Sequence, residues 1–239
     1  MTKAQPDQHK IVAYLKSIAD PKRAEGAKRF FKSGEGEYGE GDQFLGIANP
    51  AVHQAVKRFK PLDLEVCEAL LESEFHEVRF FALAMMVELY RPKRSALKEQ
   101  VVASYLANTQ FINNWDLVDC SAYKILGNYL IERDRSQLFD LARSESLWER
   151  RIAIVSNYAF IKQNDFETTL SLAEILKHDS EDLIHKAVGW MLKEVGKRDA
   201  QVLRRFIQTH HQDLPRTLLR TAIEKLPANE RAAFLANKV

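Results

Sequence analysis

The sequence predicts an all-α protein, an α-solenoid of two-helix repeats with a basic concave face. Three observations predict it. Nearly every segment has a helical apolar period, and none sustains the alternation of a strand. Glycine and proline are few and fall mainly between the periodic segments. Successive second helices can be laid over one another at an offset of roughly 31–38 residues, the range of two-helix repeats. In such a stack each pair buries its apolar stripe against its neighbours, and the second helices line the concave side.

The elements follow in order. Gln8–Ala19 is amphipathic. Asp20 then caps a helix through Lys32, with Pro21 at its first position. Ser33–Asp42 is a Gly- and Glu-rich loop. Its carboxylates would repel phosphate and no Gly-Lys-Ser/Thr follows, so it reads as structural. Asn49-Pro50 opens a helix to about Lys60. Helix pairs then run Pro61–Glu74 with His76–Arg91, Pro92–Asn108 with Asn114–Glu132, and Ser136–Arg143 with Leu147–Lys162. Phe166–Lys177 with Glu181–Lys197 and Asp199–His210 with Pro215–Leu226 complete the series, before a short tail helix.

At 239 residues the chain can bury a full core, and it reads as a single domain over residues 1–239. A hydrophobic content of 46% with 28% charged residues belongs to a folded, soluble chain, not a disordered one. No run reaches the length of a membrane span and the first residues lack a signal-peptide core, so a cytoplasmic protein is expected. Cys67 and Cys120 have no metal-type spacing. Nothing demands more than a monomer. A net charge of +2 neither demands nor excludes nucleic acid, so the placement of charge matters more than its sum.

That placement follows from the repeat register. Arg79, Arg151 and Lys186 share one position, which Leu117 occupies in the central repeat. Lys193, Lys197, Arg198, Arg216 and Arg220 extend a basic stripe of the kind a duplex backbone needs. Glu77, Glu149 and Glu194 are interspersed, and charge alone also fits an ordinary solvated face.

The stretch Asn113-Asn-Trp-Asp-Leu-Val-Asp-Cys120 opens the central second helix, with Asn113 or Asn114 as cap and Asp116 in the first turn. Trp115 and Asp119 lie four apart, on one face. Alone, the pair also reads as a core Trp with a solvated or capping Asp. Trp190 falls one step past the position that aligns with Cys120, and Arg151 lies one repeat on, so both can approach Asp119. Trp148 reads as core. The constellation is one carboxylate, two indoles and one guanidinium, without metal ligands and without a nucleophile beside a base. A carboxylate between aromatic walls suits a developing oxocarbenium ion. A general acid is dispensable only when the leaving group is already cationic, as an N3- or N7-alkylated purine is.

The chain resembles the DNA alkylation repair family of HEAT-like-repeat proteins, the AlkD-like DNA glycosylases, over nearly its whole length. The matching stretches are Phe31–Ile47, Asn113–Asp119, Leu147-Trp-Glu-Arg-Arg-Ile-Ala153, Lys186–Glu194 and Pro215-Arg-Thr-Leu-Leu-Arg220. The resemblance implies excision of cationic N3- and N7-alkylpurines from double-stranded DNA without metal or cofactor. It also implies that the base is not turned into a pocket. By the resemblance Asp119 is the catalytic carboxylate, Trp115 and Trp190 flank it, and Arg151 is the family's arginine. Phe30 stands where the best-known members have Tyr, which removes one hydroxyl contact. The other DNA-contact candidates are Arg79, Lys186, Arg216 and Arg220. Some members keep the solenoid without glycosylase activity, so the alternative is a non-catalytic HEAT-repeat binder of damaged or branched DNA. A solenoid that binds protein partners is the third reading.

Overall fold

The computed structural model describes residues 7–91 and 96–236. The fold is all-α. Among the described residues there is no strand, only an isolated bridge between Gln43 and Phe75. No helix there is long and apolar enough to cross a membrane. The chain divides into two compact units, up to Ser121 and from Ala122 onward.

The first unit contains α1 (Gln8–Ser17), α2 (Pro21–Phe30), α3 (Asn49–Phe59), α4 (Leu64–Leu71), α5 (His76–Leu89), α6 (Lys98–Ala107) and α7 (Trp115–Ser121). Asp20 caps α2 as its sequence predicts, its carboxylate accepting from the amides of Lys22 and Arg23, with Pro21 in the first turn. Helix α5 is the centre of this unit and packs on α3, α4, α6 and α7. Its sequence is apolar nearly all round, the signature of a helix enclosed on every side. A Thr109–Phe111 3-10 turn, not anticipated from the sequence, leads into α7. The expected start of the preceding helix at Pro92 lies outside the described residues.

The second unit begins with a π-helical turn, Tyr123–Gly127. It continues with α8 (Ser136–Ala142), α9 (Leu147–Ser156), α10 (Tyr158–Ile161), α11 (Glu167–Leu176), α12 (Asp182–Arg198), α13 (Ala200–His210), α14 (Arg216–Ala222) and α15 (Ala228–Leu235). Helix α12 is its centre, packed on α9, α11, α13 and α14. Gly189 makes the last contact possible. A Cβ there would lie 2.7 Å from the Leu218 carbonyl and 2.6 Å from Thr221 Cβ, so any side chain would push α14 away.

Two expected helices are each broken once. Asn114–Glu132 ends as α-helix at Ser121 and continues as the π turn, in which the Gly127 amide donates to the Ala122 carbonyl five residues back. Leu147–Lys162 breaks at Asn157. This buried side chain donates to the carbonyls of Ala153 and Ile154 and accepts from Thr169. Neither break has a proline or glycine signal at the point where it starts.

Candidate active site

In the first unit the site begins at the N-terminus of α7. The Asn114 carbonyl accepts from the Val118 amide, which places Asn114 at the cap position. The Asn113 and Asn114 side-chain amides both donate to Asp42, at 3.2 and 3.3 Å. Asp42 is the last residue of the Gly/Glu loop. It is buried and also accepts from Arg79 Nη2 at 2.6 Å. The loop is therefore a strap whose end is fixed to α5 and to the start of α7.

His76, the first residue of α5, completes the network. Its Nδ1 faces Asp42 Oδ2 at 3.3 Å and its Nε2 faces Asp116 Oδ2 at 2.9 Å. An imidazole donates at both nitrogens only as the imidazolium. Burial opposes that charge, but the Asp116 and Asp42 carboxylates outweigh it and raise the His76 pKa to about 9. Burial likewise pushes Asp42 up, but the His76 hydrogen bond and the Arg79 charge hold it below the ordinary carboxylate range. Two acids and two cations then balance inside the fold. Next to them Glu77 accepts from the amides of Leu45, Gly46 and Ile47 at 2.8, 2.7 and 3.1 Å. Gly46 has φ +76°, and a Cβ there would lie 2.1 Å from the Asp20 carbonyl, so the turn held by Glu77 admits only glycine.

The network gives stability a pH dependence. Unfolded, His76 titrates near 6.5; folded, near 9. Its contribution is complete below pH 6.5 and is lost as pH rises through 9, an effect of about 3 kcal/mol. The Asp42 contribution has the opposite sign and is lost in acid. Urea unfolding at pH 6, 8 and 9.5 should show wild type weakening across the alkaline step, and His76→Gln weaker at pH 6 but nearly flat beyond it. Parallel curves for the two proteins would count against a charged His76.

Above this network stands an aromatic wall. Trp115 is half-buried, stacks on Phe31 at 5.4 Å and meets the edge of Phe30 at 5.6 Å. Phe31 also packs on Phe44 and on the His76 ring. Phe30 is 64% exposed, the large apolar side chain most open to solvent among the described residues. A cavity of about 560 Å³ opens here, lined among others by Phe30, Phe31, Phe80, His76, Trp115 and Asp116. Its walls come from four separate helices, α2, α3, α5 and α7, so no local sequence motif encodes it. Asp119 lies one helical turn past Trp115 on α7 and is half-buried.

In the second unit, Trp190 on α12 is half-buried and tilts against Tyr158 at 6.0 Å. Arg151 on α9 is buried, and its Nη1 donates to the Leu183 carbonyl at 2.7 Å. Lys186 is exposed and pairs with Asp182 at 2.6 Å, one turn away on α12. Arg216 and Arg220 are exposed, and Arg216 donates to the Leu235 carbonyl. Trp148 is half-buried.

The structure corrects the place of Arg79. It is not on a solvent-facing stripe: it is 4% exposed, bonded to Asp42 and to the Ser73 carbonyl. Leu117 and Arg151, at the same repeat position, are also buried, whereas Lys186 is exposed. The shared register thus marks an inward position in three repeats and an outward one in the fourth. Sequence reasoning also missed His76, Asp42 and Phe31. The available signal was a His, a Glu and an Arg gathered in the first turn of a helix that is mostly apolar beyond it.

A family model described as DNA alkylation repair enzyme matches residues 11–226. No curated protein matches the chain. Among solved structures, a "Predicted DNA alkylation repair enzyme from Enterococcus faecalis" is similar at 18% identity and a TM-score of 0.70. The match covers 88% of this chain and 97% of that one, a likeness of fold.

Proposed function

Because the chain belongs to the DNA alkylation repair enzyme family, with DNA as its partner and alkylation damage as its concern, we propose that it is a DNA glycosylase. It hydrolyses the N-glycosidic bond of cationic N3- and N7-alkylated purines in duplex DNA. In this reading the C1′–N bond breaks and its electron pair neutralises the positively charged purine, so no acid is needed at the leaving group. The sugar becomes an oxocarbenium ion that the Asp119 carboxylate stabilises. Asp119 also orients the water that attacks C1′ and accepts its proton. Trp115 and Trp190 supply the walls, the pairing that the sequence resemblance assigns. Arg151, with its guanidinium buried against the Leu183 carbonyl, fits a role in supporting the site better than an exposed phosphate clamp. In this reading the protein acts as a monomer.

The observation that supports this most is at α7. Asp119 and Trp115 share one half-buried face of a helix whose first turn is fixed by Asn113, Asn114 and Asp116 to a buried charge network. A carboxylate preorganised in this way suits a charge that develops only in the transition state. The test is release of free base from duplex DNA methylated at purine nitrogens. Appearance of N7-methylguanine or N3-methyladenine supports the glycosylase; binding of that DNA without base release leaves a non-catalytic repair protein.

A further inference from the structure

The second unit carries a cation cluster that the proposed reaction does not use. Lys162, the residue after α10, holds its ammonium 5.0 Å from the Tyr123 ring centre and 5.2 Å from that of Tyr158. Lys124, on the π turn, stands 5.4 Å from Tyr123. Tyr123 and Tyr158 meet edge to face at 5.1 Å, and Tyr158 tilts against Trp190. The three rings therefore form one ledge with Lys162 and Lys124 on it. Local folding builds the ledge: Asn157 breaks α9 from α10 and re-aims Tyr158, while the π turn carries Tyr123 and Lys124.

Like charges that crowd are usually interleaved with carboxylates. Among the described residues neither Lys162 nor Lys124 forms an ion pair, while Asp165 pairs with Arg135 and Glu194 with Lys197. Among the described residues, the Arg198 guanidinium donates to the neutral Asn164 side chain. Burial, then the charges of Lys124 and Arg198, pull the Lys162 ammonium below the usual lysine range. An anion at this point would relieve that repulsion. The tyrosine faces hold the ammonium ready for it, so little side-chain freedom remains to be lost on binding.

We propose that Lys162, flanked by Lys124 and Arg198, binds one backbone phosphate of duplex DNA and so sets the strand against Tyr158 and Trp190. The inference rests on DNA as the partner and not on the glycosylase step. Lys162 is in this sense a positioning residue. The shared chemistry is a phosphate oxyanion. An aromatic ledge beside the cations favours a sugar–phosphate chain over a free ion.

The experiment is the affinity of the full chain for undamaged duplex DNA across a range of salt concentrations, for wild type, Lys162→Ala, Lys162→Arg and the remote control Lys225→Ala. Lys162→Ala should weaken binding and flatten the dependence of log affinity on log salt by about one unit, as the loss of one phosphate contact requires. Lys162→Arg and Lys225→Ala should keep the wild-type slope. If base release is observed, Lys162→Ala should raise the protein concentration for half-maximal single-turnover rate and leave the saturated rate unchanged. A wild-type slope for Lys162→Ala overturns the inference while leaving the glycosylase reading intact. Wild type that fails to bind duplex DNA overturns both. Inorganic phosphate bound at Lys162 as tightly as the duplex would make this a free-phosphate site and overturn the DNA assignment.

Discussion

Asp119→Asn should slow release of alkylated base by about 10²- to 10³-fold, the size of effect seen when a preorganised electrostatic group is removed from a transition state. The substitution keeps the shape of the side chain and removes only the charge, so α7 and its stacking on Phe31 remain. Asp119 is half-buried in the free protein. DNA laid over it would exclude water and strengthen its attraction for a developing oxocarbenium ion. Ground-state binding of duplex DNA should change little, because the carboxylate acts on a charge that the bound sugar does not yet carry. Single-turnover assays at saturating enzyme separate the two. A mutant within threefold of wild type would remove Asp119 from the mechanism, and a mutant that fails to bind DNA would make it a binding residue.

Arg79→Ala should cost about 3–5 kcal/mol of folding stability, the cost of leaving a buried charge without its partner. The guanidinium that would be lost donates to Asp42 at 2.6 Å and to the Ser73 carbonyl at 2.7 Å. Asp42 would keep His76, Asn113 and Asn114, but two buried acids would then face a single cation. The dependence of DNA affinity on salt should stay at the wild-type slope, since Arg79 has no access to a phosphate. Urea unfolding and a salt titration check the two halves of this expectation. Because Asp42 and Arg79 act as a pair, Asp42→Asn combined with Arg79→Met should cost less than the sum of the single changes. Additive costs would mean that the pair is not coupled, and a flattened salt slope for Arg79→Ala would return Arg79 to the DNA-contact surface.

The sequence by itself determined the fold class and most of the elements. Helical period and caps are local properties, written within a few residues of where they act. Asp20-Pro21 starts α2 and Asn49-Pro50 starts α3, as the residues predict. The motif around Trp115 and Asp119 was legible for the same reason: a spacing of four on one helix fixes a shared face. Tertiary structure decided which polar residues point inward. Arg79 and Lys186 hold one register position, yet the first is buried and the second exposed, because inward or outward depends on what the neighbouring helix offers. Around Arg79 the neighbour is Asp42, 37 residues earlier at the end of a loop. His76 lies 40 residues from Asp116, and only their meeting turns an ordinary imidazole into a buried cation. The ledge of Tyr123, Tyr158 and Trp190 likewise depends on a π turn and a helix break produced by buried packing. No local spacing encodes such encounters, since their energy appears only when distant segments exclude water together.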